Sequence, residues 1–531
     1  NGAVLGQSPG VRLADGILTI VSTNLVDAVS LLPEGGGTVT VDEGVYDGSF
    51  TLPRNTVVRG QGVGRTVLRA PVDSTGQVFF MGASNVLIEA MTLDGRRSAH
   101  AVLPAEVQGV NGIVTVDAAD VTIRNCQVRD ALNNGVFVGI SVPGFLIENC
   151  VVENSATNNV PQGTPGGHGY GIFCAGSASP VIRSNVVRGW AQGVGLWPGV
   201  SNGLVEFNQI VDNFGFIDAA HTSTRSACED YGAATVSHGW NLWRSNLVDG
   251  STSHCLEIAQ GVSASRFVGN TLRRPGQING LGNHWEVTGG PGQTNRDVII
   301  EGNLIISDGM REDTCSVNGR AFNTVVSNNT FTGFNRGNLG PLFLGGNSGV
   351  QGTIVVSNTF TGCRYGVRVN ADVTGFRGLG NTFTNVQQSD AVIWADSMGR
   401  GRIEGNLIMG SQPVVGIKLD DTANAGGQTG NVVAGNRITV PGSGILCFTP
   451  DNVITNNVFE ETIADGIGAV LLVGVNAVRN LVASNRVSTL GPWSIRITQG
   501  ASLNTVTNNL LPPFTLQLDE SAGTNNVVTG N

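Results

Sequence analysis

The sequence repeats a short phrase, and two copies read Ile182-Arg-Ser-Asn185-Val-Val187 and Val205-Glu-Phe-Asn208-Gln-Ile210. In each copy an aliphatic residue is followed by two variable residues, an Asn, one variable residue and a second aliphatic residue. Cys126 and Cys150 hold the Asn position in two earlier copies, and Met91 holds it in another. The remaining copies centre on Asn246, Asn270, Asn303, Asn329, Asn358, Asn381, Asn406, Asn436, Asn457, Asn485 and Asn509.

The spacing of the phrase sets a structural unit. Six of the intervals between neighbouring copies are 23 to 25 residues long, and each interval holds two or three short alternating segments separated by Gly, Asn and Ser turns. A unit this short cannot bury its own apolar face, whereas stacked units can. Asn tolerates the left-handed conformation of a tight turn, and Asn side chains that recur at one turn stack about 4.8 Å apart. The pattern therefore predicts stacked β-coils with an Asn ladder.

Composition excludes several classes of protein. The chain has 531 residues, of which 76 are Gly and only 13% are charged, and its net charge is −10 with Lys418 as the single lysine. An acidic, lysine-poor surface does not suit a nucleic acid, which requires a basic face. No uncharged apolar run reaches the length of a membrane span. Length alone suggests three or four domains, and the repeat replaces them with one solenoid.

The repeat resembles that of the right-handed parallel β-helix proteins of the pectate-lyase-like superfamily, over about residues 35–531. The resemblance implies an all-β solenoid preceded by a segment, residues 1–34, with a short capping helix. Leu25, Val26, Val29 and Leu32 form the amphipathic pattern expected of that helix. This superfamily includes lyases, hydrolases, esterases, epimerases and phage tailspikes, so the resemblance predicts architecture and leaves the chemistry open.

Insertions in the repeat indicate where function lies. Intervals of 35, 38 and 33 residues occur between about residues 150 and 303, and five of the six histidines and five of the seven tryptophans fall in the same region. Inserted loops on a rigid scaffold commonly carry binding and catalytic residues. We therefore expect the functional site in these middle coils.

Two glutamates of this region each lie between apolar residues. Glu257 stands between Leu256 and Ile258, and Glu286 between Trp285 and Val287. Strand alternation points both side chains outward, and their coils are predicted to be neighbours. Stacked carboxylates repel, which raises the pKa of one and suits it to act as an acid beside an ionised partner. Asp218 is a third candidate carboxylate. A solvated strand face, or calcium held by stacked acids, is the alternative interpretation.

Further residues are candidates for support and substrate binding. His221 follows Asp218 and His284 shares the predicted face of Glu286, so both suit proton transfer or hydrogen bonding to substrate. Trp197 is expected to face outward, two residues beyond the position that Glu257 occupies, and an exposed indole suits a sugar ring. The other candidate substrate-binding residues are Tyr170, His168, His238, Asn318 and Arg368.

The eight cysteines lack the spacing of a metal-binding motif, so no cofactor is predicted to be required. Ca²⁺ held by the stacked acids is the alternative. Cys228 lies in the longest insertion. In a secreted protein it would join that loop to Cys255 or Cys315, and the alternative is a free buried thiol.

These observations favour a secreted glycoside hydrolase that acts on a polysaccharide, because the predicted site holds acids without lysine and the chain is acidic. One alternative is a lyase or epimerase of uronic-acid polymers, with Arg368 or a histidine as base. The other is a non-catalytic surface fibre or tailspike stalk that associates end to end or as a homo-oligomer.

Overall fold

The computed structural model describes the backbone of residues 10–14, 17–21, 29, 32–72, 77–97, 112–154, 169–213, 226–233, 237–251, 253–276, 281–290, 292–309, 312–336, 340–345, 349–370, 373–387, 390–396, 398–410, 412, 414–420, 429–460, 468–488, 494–512, 516–518 and 523–531. The named elements in these ranges are all β-strands. The fold is the predicted all-β, right-handed parallel β-solenoid. The chain forms two compact units, Asn1–Gly282 and Asn283–Asn531.

The N-terminal segment contains an antiparallel hairpin of the strands Gly10–Ala14 and Ile17–Val21. The sequence analysis did not predict this hairpin. The predicted capping helix falls largely on residues 22–28, 30 and 31, which lie outside the described residues.

Each coil of the first unit contributes one strand to each of three parallel sheets, named sheets 1, 2 and 3 in chain order. Sheet 1 contains Gly37–Thr40, Thr56–Arg59, Val86–Glu89, Val121–Arg124, Leu146–Glu148, Val181–Arg183, Leu204–Glu206, Leu242–Arg244 and Arg266–Val268. Sheet 2 contains Gly44–Asp47, Thr66–Arg69, Thr92–Asp94, Gln127–Arg129, Val151–Glu153, Val186–Arg188, Gln209–Asn213, Leu247–Ser251 and Thr271–Arg273. Sheet 3 contains Phe50–Thr51, Phe79–Met81, Gly112–Val116, Asn134–Val138, Tyr170–Ala175, Gln192–Trp197, Cys228–Tyr231 and Leu256–Ala259.

The second unit repeats the same three-sheet arrangement. Its sheet 1 strands are Ile299–Glu301, Val325–Ser327, Ile354–Val356, Arg377–Leu379, Arg402–Glu404, Val432–Ala434, Val453–Thr455, Leu481–Ala483, Thr505–Thr507 and Val527–Thr529. Its sheet 2 strands are Leu304–Ile306, Thr330–Thr332, Thr359–Thr361, Thr382–Val386, Leu407–Gly410, Arg437–Thr439, Val458–Glu460 and Arg486–Ser488. Its sheet 3 strands are Glu312–Gly319, Leu342–Leu344, Val367–Val369, Ile393–Asp396, Ile417–Asp420, Ile445–Cys447, Val470–Val473, Ile495–Thr498 and Leu516–Leu518. A four-stranded sheet adds Asn295–Arg296, Ala321–Phe322, Val350–Gln351 and Val373–Thr374, and the strand Leu281–Gly289 contains the boundary between the units.

Alternation explains why these short strands form a core. In the strand Leu204–Glu206 the central Val205 points inward and is fully buried, and Ile210 does the same in the next strand. Successive side chains of a strand face opposite sides of the sheet, so one aliphatic residue per three-residue strand is enough to line the interior. Stacking such strands in every coil produces a continuous apolar core within each unit.

The Asn ladder is confirmed. In the first unit Asn185 donates from Nδ2 to Oδ1 of Asn208 at 3.0 Å, and Asn208 does the same to Asn246. Cys150, at the equivalent position, receives a hydrogen bond on its sulfur from the Cys126 backbone N–H at 3.4 Å. The second unit carries the ladder from Asn303 to Asn531, and a second ladder that the sequence analysis did not predict runs through Asn431, Asn452, Asn480, Asn504 and Asn526.

The left-handed residue of the turn is the one before the ladder position. Phe207 (φ 55°) and Ser184 (φ 55°) have positive φ, whereas Asn208 and Asn185 do not. Asn is therefore selected at the ladder for its amide, which bonds the coils, and the residue before it makes the turn.

All eight cysteines are free and buried, which includes Cys228. The interpretation of Cys228 as a free buried thiol is correct, and the disulfide to Cys255 or Cys315 is not formed.

Candidate active site

The outer face of sheet 3 in the first unit carries a column of side chains in register. Phe173 pairs with Gly195, Gly195 with Glu229, and Glu229 with Glu257. A Cβ at Gly195 would lie 2.5 Å from the ring of Tyr170. The absence of a side chain at Gly195 therefore provides the space that this ring occupies. Two glutamates thus follow each other on neighbouring strands, whose backbones are separated by about 4.8 Å.

Glu229 is a buried carboxylate held by three donors. It is 5% exposed, and it accepts hydrogen bonds from the Tyr170 hydroxyl, from Nε2 of Gln192 and from Nε1 of Trp197 at 3.0 Å. Donors that converge on a carboxylate stabilise its charged form. The arrangement fixes the Glu229 carboxyl group between Tyr170, Gln192 and Trp197.

Glu257 lies in register with Glu229 and is more accessible. It is half-buried, and the Ser226 hydroxyl donates to its Oε2 at 2.8 Å. The alternation of Leu256, Glu257 and Ile258 across the strand is as predicted, with Ile258 fully buried.

An aromatic stack borders the two glutamates. The rings of Trp197 and Tyr231 stack with centroids 5.4 Å apart, and Phe173 packs edge-on against Trp197 at 5.1 Å. Trp197 and Tyr231 are both half-buried, and Trp197 faces outward as predicted. Burial first, and then the charges of Glu257 and Glu229, raise the pKa of the Tyr231 hydroxyl, which therefore stays protonated at neutral pH.

Tyr170 does not present a ring face to solvent, which corrects its predicted role as a sugar platform. It is 0% exposed and stacks on Phe173 with centroids 4.5 Å apart. Its polar contribution is the hydroxyl that it donates to Glu229.

His238 is also enclosed, contrary to its predicted place in substrate binding. The side chain is 1% exposed, and its Nε2 lies 2.6 Å from Oδ1 of Asp230, which is 0% exposed. Nδ2 of Asn241 donates to the same oxygen at 2.8 Å. Asp230 alternates with the two outward residues Glu229 and Tyr231, so it points into the core, and His238 and Asn241 compensate its burial there.

The predicted residues of the second unit differ in how deeply their side chains are buried. Glu286 is half-buried, and Nδ2 of Asn318 donates to its Oε1 at 2.8 Å. His284 is 0% exposed, with its ring 5.1 Å from that of Phe334, so the prediction that it shares an outward face with Glu286 is wrong. Because Trp285 is buried as well, simple alternation does not hold at this point of the strand. Glu257 belongs to the first unit and Glu286 to the second.

Arg368 belongs to a cationic column in the second unit. It lies in register with Trp394, and Trp394 with Lys418. The Arg368 guanidinium is 4.5 Å from the Trp394 ring centroid and the Lys418 ammonium is 4.6 Å from it. Lys418 also pairs with Asp420 at 2.6 Å. Asn318, another candidate substrate-binding residue, does not belong to this column, because Ser316 occupies the position in register with Phe343 and Arg368.

Three predicted residues, Asp218, His221 and His168, lie outside the described residues. Glu229 and Trp394 were missed. Glu229 stands between Cys228 and Asp230, so it lacks the two apolar neighbours that drew attention to Glu257. The clue in the sequence was Cys228. Because Cys228 is a buried core residue, the next residue of the strand, Glu229, must face outward.

No group of three or more His, Cys, Asp or Glu side chains is placed to hold a metal ion within the described ranges. In the same part of the chain, no helix has the length and apolar character needed to cross a membrane.

The family described as "Right handed beta helix region" matches residues 44–187 and 341–511, more than half of the chain, and the protein belongs to this family. No curated protein matches the sequence. Among solved structures, the pre-mature gene product 12 of bacteriophage phi29 is similar over 93% of this chain and 69% of its own, with 13% identity and a TM-score of 0.51.

Two polysaccharide-related structures are also similar. A mannuronan C-5 epimerase A-module from Azotobacter vinelandii covers 80% of this chain and 92% of its own, with 14% identity and a TM-score of 0.31. The alginate lyase AlyF-OU02 is similar over 75% of this chain and 83% of its own, with 11% identity and a TM-score of 0.41. These identities establish the fold alone, and a carbohydrate-active or a structural role both fit it.

Proposed function

We propose that the protein is a secreted glycoside hydrolase that cleaves a polysaccharide on the outer face of sheet 3 in the first unit. The observation that carries the proposal is the in-register pair Glu229 and Glu257 beside the stacked rings of Trp197 and Tyr231. Paired carboxylates perform glycoside hydrolysis, and a half-exposed indole suits the C–H face of a sugar ring.

The surroundings of the two carboxylates assign their roles. Glu229 accepts three hydrogen bonds that fix its carboxyl group, and it takes the role of the nucleophile, which bonds to the anomeric carbon as the glycosidic bond breaks. Glu257 has the serine hydroxyl of Ser226 as a neutral donor and is the more accessible, so it exchanges the proton with the glycosidic oxygen. Carboxyl groups about 5–5.5 Å apart belong to retaining enzymes, and the spacing of neighbouring strands favours that stereochemistry. In the second step Glu257 takes a proton from water, and that water hydrolyses the bond between Glu229 and the sugar.

The test replaces each glutamate by its isosteric amide. We expect Glu257→Gln and Glu229→Gln to lower the release of reducing sugar by about 100-fold or more, because each removes a group needed in the transition state. Glu460→Gln is the matched control, since Glu460 is a partly exposed member of a surface ion pair with Arg437. A panel of neutral and acidic polysaccharides serves as substrate, and thermal melting verifies folding. Full activity of Glu257→Gln on every polymer cleaved by the wild type would contradict the proposal.

Glu286 remains the other predicted partner of Glu257, and Glu286→Gln belongs in the same series. A loss of activity in Glu257→Gln, with Glu229→Gln active, would contradict the role assigned to Glu229, and Glu286→Gln tests the glutamate of the second unit separately.

A second candidate function is lysis of a uronic-acid polymer by the second unit. The observation in its favour is the column of Arg368 and Lys418 on either side of Trp394, because two cations on an outer sheet face suit a sugar carboxylate. In the same assays a lyase would also release one reducing end at each cleavage, but the other new end would be an unsaturated uronate whose double bond absorbs in the ultraviolet, which a hydrolase does not form. Its activity would depend on Lys418 and not on Glu257.

A further inference from the structure

Phe207 occupies a turn position that other coils of the first unit fill with small or turn-forming residues. The residue before the ladder position has positive φ in each described coil, and its φ is 55° at Phe207. The equivalent residues in the first unit are Ala90, Asn125, Asn149, Ser184, Ser245 and Gly269. Bulky L-residues rarely adopt this left-handed conformation. Phe207 is therefore not explained by the turn.

Trp240 shows the same departure at the turn that precedes sheet 1. Its φ is 55°, whereas the equivalent positions of neighbouring coils hold Asp120, Gly144, Ser179, Asn202 and Ala264. Two large aromatic residues in consecutive coils thus stand where the backbone favours Gly, Asn or Asp.

Packing does not explain these two side chains either. Phe207 is 56% exposed and Trp240 is 54% exposed, whereas Trp190 of the coil before Phe207 and Trp243 of the strand after Trp240 are buried. An exposed aromatic ring in an unfavourable backbone conformation contributes little to the core, and backbone outliers concentrate at functional positions.

The face between the two aromatics is mixed in character. Phe207 follows the strand Leu204–Glu206 and Trp240 precedes the strand Leu242–Arg244, and these strands pair in register. Between the two turns the outer face presents the half-buried Leu204 and Leu242 and the ion pair of Glu206 with Arg244, at 2.6 Å. Along the strand direction the two turn positions are separated by about 16 Å.

We propose that this face of sheet 1, bounded by Phe207 and Trp240, binds a neutral polysaccharide chain at a place separate from Glu229 and Glu257. The aromatic rings and leucines suit the C–H faces of sugars, and the ion pair offers hydrogen-bonding groups to hydroxyls without a net charge. A protein partner fits less well, because a stable interface buries far more surface than a strip of this size, and it favours a core depleted in charge.

The test uses affinity electrophoresis through gels that contain laminarin, arabinoxylan, dextran or alginate. The protein carries Glu257→Gln so that the polymers stay intact. We expect at least one neutral polymer to retard it, and Phe207→Asn with Trp240→Asn to weaken that retardation about tenfold or more. Asn is the residue that neighbouring coils use at both turns, so the melting temperature should stay the same or rise. Ile140→Asn is the matched control, since Ile140 is 75% exposed in the same unit, and it should bind like its parent.

Three outcomes overturn the proposal. They are equal retardation of the double variant and its parent, no retardation by any neutral polymer, and retardation by alginate alone that salt abolishes. Because activity is measured separately with Glu257→Gln and Glu229→Gln, failure of this proposal and failure of the proposed hydrolase are distinguishable.

Discussion

Glu89 illustrates how a single outward residue ties three coils together. It lies in register between Arg59 and Arg124 on the outer face of sheet 1, accepts hydrogen bonds from both and is 6% exposed. Burial alone would raise its pKa, but the hydrogen bonds and charges of Arg124 and Arg59 outweigh burial, and the pKa is lowered from 4.5.

This residue makes a prediction about acid stability. A carboxylate with a lowered folded-state pKa contributes stability that is present above the unfolded pKa, here 4.5, and is lost as pH falls through the folded value. Glu89→Gln should therefore cost about 1–2 kcal/mol at neutral pH and flatten the fall of stability below pH 4.5. Urea unfolding across the pH range measures both effects. An unaltered acid limb in Glu89→Gln would refute the assignment.

For single residues, the sequence correctly predicted which side of the sheet a side chain faces wherever the strand alternates regularly. Glu257 and Trp197 face outward as expected, because each lies within a strand whose aliphatic neighbours define the inner side. His284 and His238 failed for a physical reason. At His284 the alternation is broken, and His238 is fixed by Asp230, whose inward carboxylate could be recognised only after the parity of its strand was known.

At the scale of elements, the ladder is a set of hydrogen bonds between coils that the apolar core cannot replace. Asn358 is 1% exposed, and its Oδ1 accepts from the backbone N–H and Nδ2 of Asn329. Its own Nδ2 donates to the Val326 carbonyl and to Asn381. Each ladder residue therefore satisfies buried groups on the coils before and after it.

Asn358→Ala should cost about 2–4 kcal/mol in the free energy of unfolding, because it leaves the donors of Asn329 and the carbonyl of Val326 without partners. Chemical denaturation measures the change. The control is Asn328→Gly, one coil earlier, where an exposed residue with φ of 55° should accept glycine at little cost. Equal costs for the two variants would show that the ladder amides do not carry the stability.

The three-sheet coils were predictable because one phrase recurs many times along the chain. A single irregular copy therefore does not hide the repeat length. The hairpin Gly10–Ala14 with Ile17–Val21 and the second Asn ladder were missed, because neither extends the phrase that was followed. Glu229 was missed because it lies in the longest insertion. There the distance from the repeated phrase no longer shows which residues of the strand face outward.

At the scale of the whole molecule, the cysteines are distributed through the core as small apolar residues. All eight are free and buried. Burial raises the pKa of Cys174 and of Cys363 to about 12, and that of Cys447 to about 11. Thiolate, the reactive form, is therefore scarce at neutral pH.

A thiol reagent such as dithionitrobenzoate should label none of the eight cysteines of the folded protein on the timescale of minutes and all of them in denaturant. Reductant should leave the melting temperature unchanged, since no disulfide contributes to it. Rapid labelling of the native protein, or a lower melting temperature after reduction, would contradict this description.

The direction of the ladder bears on how the protein is made. In the second unit every amide from Asn303 to Asn509 donates toward the following coil, as Asn406 does to Asn436 and Asn436 to Asn457. A coil leaving the ribosome therefore supplies the Oδ1 acceptor for the coil already assembled. Its Nδ2 also donates to a carbonyl of that coil, as Asn436 does to Ile403, and only the hydrogen bond to the next amide waits for the next coil. Because each amide is completed only by the coil that follows it, we expect the coils of this unit to assemble in the order of their synthesis.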